Sequence, residues 1–273
     1  VEQVSGLVSY IRERSFHSLN FDMIYGLPNQ SESSLSITLD KVIAMSPDRI
    51  SYYNYAHLPE RFLSQRAIDR LTLPTAEQKI RMLALIIEKL TAAGYLFIGM
   101  DHFVKPDDSL AVAQREGHLA RNFQGYTIAK AQDLIGMGVS AISHLGDAYA
   151  QNHTDLDAWY TALDQNHLPV AKGLVSTAED QLRGSIIQEI LCSRALNIHA
   201  LEQKQVGLVF IEHFADAMEQ LLLMQQDGIL TVSPTNLQVT QSGFPFLRNI
   251  AMLFDAYLAT QREANQARYS KAI

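Results

Sequence analysis

The sequence predicts an α/β protein: strand–helix units in its first part and a mostly helical remainder. Two observations carry this expectation. Short apolar strands alternate with amphipathic helices from the N-terminus to about Asn152, and after Asn152 the pattern becomes mostly helical. Strands that alternate with helices imply parallel βα units. The chain has 273 residues, 47% of them hydrophobic and 19% charged, which suits one large globular domain or two ordinary ones.

Residues 2–14 have an amphipathic helical pattern and lead into an apolar strand from Ser18 to Tyr25. Gly26-Leu27-Pro28 then turns the chain. Ser31 opens a second helix, whose apolar positions Leu35, Leu39, Val42 and Ile43 share one face of a 3.6-residue period. Pro47-Asp48 breaks it, and residues 49–54 read as the next strand. Thr75 and Gln78 have the spacing of a capping box, and the helix beyond them is expected to bury Ile80, Leu83, Ala84, Ile87 and Leu90. Gly94 stands where a C′ glycine would end that helix, so residues 95–98 become a third strand. A fourth strand is expected at Val139–Ile142, after a Gly136-Met137-Gly138 bend.

Beyond Asn152, Leu156, Trp159, Tyr160 and Leu163 line one helix face, and further helices are expected near 178–194 and 207–225. Residues 229–232 and 237–239 flank Ser233-Pro234-Thr235 as a hairpin, and a last helix carries Phe246, Ile250, Leu253, Phe254 and Tyr257. Helices followed by a hairpin resemble a winged-helix module.

A net charge of −7 argues against a nucleic-acid binder, which would carry a basic footprint. A winged helix used on DNA would need a basic recognition helix, yet from Thr240 to Tyr257 the only basic residue is Arg248. No apolar run approaches the roughly 20 residues that span a bilayer. The single cysteine, Cys192, lies in an apolar helical run and reads as an inert buried thiol, so a reducing cytoplasm is expected. His57, His102, His118 and His144 lack the local pairing of a zinc site, so no protein-built metal site is expected. The chain opens at Val1 within a helical pattern, with neither a start methionine nor a signal peptide, as a piece of a longer protein would.

The densest chemistry lies between Phe97 and Thr127. Phe97-Ile98-Gly99-Met100-Asp101-His102-Phe103 reads as a short apolar strand ending in a carboxylate, an imidazole and a ring, where α/β folds place their sites. Arg121-Asn122-Phe123-Gln124-Gly125-Tyr126-Thr127 sets amides, rings and glycine together after an arginine. A second signal is Asp22, a carboxylate inside an otherwise apolar strand, which is costly to bury unless paired. The residues alone leave its partner open between a ligand and a structural ion pair.

GMDHF, REG, LARNFQGYT, DLIGMGVSAIS and YAQN occur in that order, between FDMIYGLP and LRNIAMLFDAYL. Together these words resemble the oxygen-independent coproporphyrinogen III oxidase family of radical S-adenosylmethionine enzymes. That family's Cys-x3-Cys-x2-Cys motif is missing here, so the chain looks like the C-terminal part of such an enzyme. The resemblance implies the second half of an incomplete (βα)6 TIM-like barrel over residues 1–152, then a helical, winged-helix-like domain with a hairpin over 153–273. It implies that Asp22, the Ala56 backbone and Ile142 contact S-adenosylmethionine, and that Phe123 and Gln124 matter for activity. It also implies a [4Fe–4S] cluster whose ligands are not in this chain, a protein electron donor, coproporphyrinogen III as substrate and a monomeric full-length enzyme. The implied reaction converts propionates to vinyls and yields protoporphyrinogen IX, with the fragment alone inactive. Two rivals are a radical-S-adenosylmethionine-like haem chaperone and a non-catalytic interaction module. The chaperones usually carry HN-x-x-YW at this place, so Arg121–Tyr126 favours the oxidase.

Overall fold

The computed structural model describes residues 1–128 and 133–258; residues 259–273 of the expected C-terminal domain lie outside the described residues. Its contacts group into two compact units. One comprises Val1–Gly117 with Thr240–Asn249 and residues 256–258; the other comprises 118–239, without 129–132, together with Ile250–Asp255.

The first unit runs α1 (Glu2–Glu13), β1 (Asn20–Tyr25), α2 (Glu32–Met45), β2 (Arg49–Asn54), α3 (Ala76–Ala92), β3 (Leu96–Gly99), β4 (His102–Val104) and α4 (Ser109–Arg115). The helix starts expected at Ser31 and Thr75 are both capping boxes, closed by Ser34 and Gln78. Each satisfies two backbone N–H groups that a helix start otherwise leaves orphaned. β1 and β2 are parallel, in a register that pairs Asp22 with Ser51. The core under this sheet joins Tyr25, Leu35, Leu39, Val42, Ile50 and Tyr52 to Met82, Ile86, Leu90, Phe97 and Phe103. Burial pushes the Tyr52 phenol up to about 12. Arg12 ties α1 to Asp48 at 2.7 Å. Burial alone would raise that carboxyl, but its bonds to Arg12 and the Leu19 N–H hold it below the usual range.

The structure departs from the expected run of parallel strands. The sheet order is β1-β2-β4-β3, and both β2–β4 and β4–β3 are antiparallel. Gly99 pairs with His102, so Met100-Asp101 is a two-residue reversal and Met100 takes a left-handed φ of 50°. Positive φ in such a loop matches the twist of the flanking strands. Asp101 therefore lies in a hairpin turn, while His102 and Phe103 belong to the returning strand.

The second unit holds β5 (Ala120–Asn122), β6 (Gly125–Thr127), β7 (Ile142–Leu145), β8 (Ala148–Asn152), α5 (Leu156–Asp164), β9 (Val170–Val175), α6 (Ala178–Ser193), β10 (Ala195–Asn197), α7 (Ile198–Lys204), α8 (Phe210–His213), α9 (Ala215–Gln226), β11 (Leu230–Val232) and β12 (Asn236–Val239). The strand expected at Val139–Ile142 begins instead at Ile142 and joins the antiparallel sheet β7-β8-β9. The residues before it form a turn: Ser140 has a φ of 61°, and the Asn152 side-chain amide donates to the Gly138 carbonyl at 2.8 Å. The hairpin expected after residue 229 is β11–β12, with β10 as its third strand. The helix expected at 207–225 is broken at Phe214, whose ring packs with Phe210 and Phe254. Cys192 is buried in α6. The expected last helix is a 3₁₀ stretch, Gln241–Phe246, containing Pro245, and then α10 (Leu247–Met252).

The buried stripe of α3 also differs from the expected one. Met82, Leu83, Ile86 and Leu90 are buried, while Ile80 is 52% exposed and Ala84 is exposed. Ile86→Ala should therefore lower the unfolding free energy by about 2–5 kcal/mol in a denaturant melt, and Ile80→Ala by less than about 1 kcal/mol. Equal losses would place the stripe where the periodicity alone put it.

Candidate functional site

The four-stranded sheet has two unlike faces. Phe21, Met23 and Tyr25 alternate along β1 with Asn20, Asp22 and Ile24, and only the first set packs on the core beneath α2 and α3. Successive side chains on a strand point to opposite faces, and register carries the division across the sheet. Ile50 pairs with Phe21 and with Phe103, which makes an apolar row. Ser51 pairs with Asp22 and with His102, so a carboxylate, a hydroxyl and an imidazole stand in one row on the opposite face. Tyr53, two residues along β2, meets the His102 ring edge-on with centroids 6.2 Å apart.

Asp22 was expected to be buried. It is exposed, because its side chain stands on the face of the sheet opposite the core packed beneath α2 and α3. Asn20 Nδ2 donates to Asp22 Oδ1 at 2.9 Å, and the carboxylate borders an open cleft of about 470 Å³ beside Asn20, Met23, Thr38 and Lys41. Ala56 lies two residues beyond β2, half-buried, with its carbonyl accepting from Gln65 Nε2 at 3.1 Å. The preceding residue is fixed as well, since the Tyr55 N–H donates to the Tyr25 carbonyl at 2.8 Å. Asp22 thus stands on β1, and Ala56 lies just past the C-terminal end of the neighbouring parallel strand β2.

A second cavity of about 190 Å³ lies at those ends among Tyr25, Asn54, Ile80, Met100, Asp101 and Arg248. Its walls are mostly apolar, with Arg248 and Asp101 3.8 Å apart. Burial, and then the Asp101 charge, push the Tyr25 phenol above its usual range.

Phe123, Gln124 and Ile142 belong to the second unit. Phe123-Gln124 is the tip of the β5–β6 hairpin, and the Gln124 N–H donates to Asn122 Oδ1 at 2.9 Å. Both side chains are exposed, Phe123 at 60%. The Phe123 ring meets Tyr149 edge-on at 5.8 Å, and Tyr149 stacks on His144 at 4.2 Å. Ile142 lies two residues before His144 on the same strand, so Tyr149 and His144 join Phe123 to the strand that carries Ile142. The sequence reading missed Asn20, Ser51, Tyr53, His144 and Tyr149. The period-two alternation of Asn20–Tyr25 was the available signal for the open face; nothing in the chain order marks Tyr149.

Gly136 packs against the Ile142 backbone so closely that an added Cβ would sit 2.6 Å from the Ile142 carbonyl oxygen. Gly136→Ala should therefore destabilise the protein by about 1–3 kcal/mol through forced backbone movement. Gly184→Ala, within α6 and meeting nothing within 4 Å, should be neutral or stabilising. Thermal melts that rank the two variants the other way would contradict this packing.

Comparison with known proteins adds to the geometry. The family described as HemN C-terminal domain matches residues 176–246. The chain is similar to the oxygen-independent coproporphyrinogen III oxidase of Salmonella typhimurium, 46% identical over 100% of this chain and 59% of that protein. The Escherichia coli protein of the same name is 44% identical over the same shares. The Thermostichus vulcanus one is 42% identical over 98% of this chain and 81% of its own length. A solved Escherichia coli structure, described as coproporphyrinogen III oxidase (HemN), a Radical SAM enzyme, has a TM-score of 0.89 and 45% identity. That match covers 94% of this chain and 59% of that one, and the α/β fold is shared. The chain thus spans about three fifths of the length of the Salmonella and Escherichia relatives it matches.

Proposed function

The chain belongs to the oxygen-independent coproporphyrinogen III oxidase family, and on that premise we propose that it forms part of an enzyme that converts coproporphyrinogen III propionates to vinyls. Support comes from identity spread over the whole chain together with the open sheet face on which Asp22 stands. In this reading residues 1–152 are the later portion of a TIM-like barrel, and residues 153–273 are a helical, winged-helix-like domain. The face of the sheet that carries Asp22 would line the barrel interior. The full-length enzyme would be a cytoplasmic monomer served by a protein electron donor. Among the described residues no helix is long and apolar enough to cross a membrane.

Two cofactors follow from the family, and the residues fit them differently. S-adenosylmethionine suits the open face. Asp22 Oδ1 is held by Asn20, while Oδ2 has no partner among the described residues and is available to the ammonium or hydroxyl groups of a ligand. Ala56 would present its backbone to the same ligand and Ile142 an apolar contact, and the exposed Phe123 and Gln124 would orient the reacting side chain. Held there and cleaved with one electron from a donor outside these residues, such a ligand would supply the chemistry that takes a hydrogen atom from the propionate. A [4Fe–4S] cluster does not fit: it needs several thiolates, and Cys192, the only cysteine, is buried within α6. The cluster's ligands would lie outside these residues, and the chain alone would be inactive.

The test is Asp22→Asn, which keeps the shape and removes the charge. In the intact enzyme it should weaken S-adenosylmethionine binding by about 1.5–3 kcal/mol, the range for hydrogen bonds to charged groups. Because Asp22 is exposed, the ligand-free melting temperature should hardly move. Calorimetric titration beside a ligand-free melt reads both quantities. Unchanged affinity with a clear loss of ligand-free stability would make Asp22 structural.

A further inference from the structure

We infer that Asn20 is a positioning residue for Asp22, acting through a hydrogen-bond chain that begins at Ser51. The inference rests on the reading of Asp22 as a ligand contact. Ser51 is 3% exposed and lies on the sheet face opposite the core beneath α2 and α3. Its hydroxyl donates to Asn20 Oδ1 at 3.3 Å, and Asn20 Nδ2 donates in turn to Asp22 Oδ1 at 2.9 Å.

The order of this chain is chemically fixed. An ionised carboxylate only accepts hydrogen bonds, so the amide must turn its NH₂ toward Asp22 and its carbonyl toward the hydroxyl. Reversing the amide would set a carbonyl oxygen against a carboxylate. The backbone supports the same arrangement. Asn20 and Asp22 are two residues apart on one strand and therefore share a face, and Ser51 is the register partner of Asp22 on the next strand.

The consequence is directional. With Oδ1 held by Asn20, rotation of the carboxylate is restrained, and among the described residues Oδ2 is left without a partner. A ligand then meets a carboxylate already oriented and charged, and less rotational freedom is lost on binding. Without Asn20 the carboxylate is free to turn toward the neighbouring Ser51 hydroxyl, so its direction is lost. The strand itself should be little affected, because its backbone pairs with β2 and Phe21, Met23 and Tyr25 pack on the opposite face.

A double-mutant cycle read by calorimetric titration of S-adenosylmethionine into the intact enzyme tests the inference. Asn20→Ala should weaken binding about five- to tenfold, less than the loss of the charge itself. In an Asp22→Asn background the same substitution should change affinity less than about twofold, because there is no longer a carboxylate to orient. Ser51→Ala, which removes the anchor and leaves the amide, should give a smaller loss in the same direction. A ligand-free melt of Asn20→Ala within a few degrees of the parent shows that the fold is intact; should that variant unfold, the Ser51→Ala arm is compared across both Asp22 backgrounds in its place.

Independent, multiplying effects of Asn20→Ala and Asp22→Asn would overturn the inference. So would an Asn20→Ala variant that binds as the parent does while Asp22→Asn binds weakly; that result leaves the role of Asp22 standing. If Asp22→Asn itself binds as the parent does, the reading of Asp22 fails and this inference fails with it.

Discussion

Much of the first unit depends on one constraint: a β-strand shows alternate residues to alternate faces, and here α2 and α3 pack on one of the two. Phe21, Met23 and Tyr25 meet Ile50, Tyr52, Phe97 and Phe103 beneath α2 and α3, and much of this core is out of solvent. The residues between them must then emerge together. Asn20, Asp22, Ser51, Tyr53 and His102 are brought to one face by the same register that buries the apolar set. A one-residue slip of β1 would exchange the two sets, exposing three large apolar side chains and turning Asp22 toward the core. Hydrophobic packing therefore sets the registry of the polar row without touching it.

A different device shapes the second unit. Its sheets are antiparallel throughout among the described strands, and its candidate residues lie at a hairpin tip and at a strand start. The Asn122 side chain caps the Phe123-Gln124 turn, which leaves both side chains exposed. Stacking of Tyr149 on His144 gives the Phe123 ring a flat neighbour to meet edge-on. Edge-to-face contacts of this kind are worth about 0.5–1.5 kcal/mol each, enough to bias the ring without burying it.

Local signals in the sequence translated well. The Thr75–Gln78 capping box, the helix start at Ser31, the parallel strands β1 and β2, the buried Cys192 and the hairpin after residue 229 were legible, because each depends on residues close in the chain. What failed depended on partners remote in sequence. The Phe97–Phe103 stretch reads as one strand with a polar end. The fold reverses it at Met100-Asp101, a turn without the Asn-Gly signature that would announce it. Asp22 looked buried because its neighbours are apolar, and only the alternation shows that those neighbours face the other way. The α3 stripe was displaced because Ile80, Ala84 and Ile87 border a cavity at the strand ends while Ile86 fills the core. As for the site, Asp22 and Gln124 announce chemistry by their side chains. The Ala56 backbone and Ile142 do not, and only likeness to relatives singles them out.

The central claim is that the Asp22 face of the β1–β2 sheet is the one that meets S-adenosylmethionine. Ile24 and Ile50 stand on opposite faces of neighbouring strands, the first 45% exposed and the second fully buried in the core. With both methyl groups isotopically labelled in the intact enzyme, nuclear magnetic resonance during a titration with S-adenosylmethionine distinguishes the faces directly. The account predicts that the Ile24 methyl resonance shifts in proportion to saturation while that of Ile50 stays in place. An Ile50 response with Ile24 unmoved would contradict it.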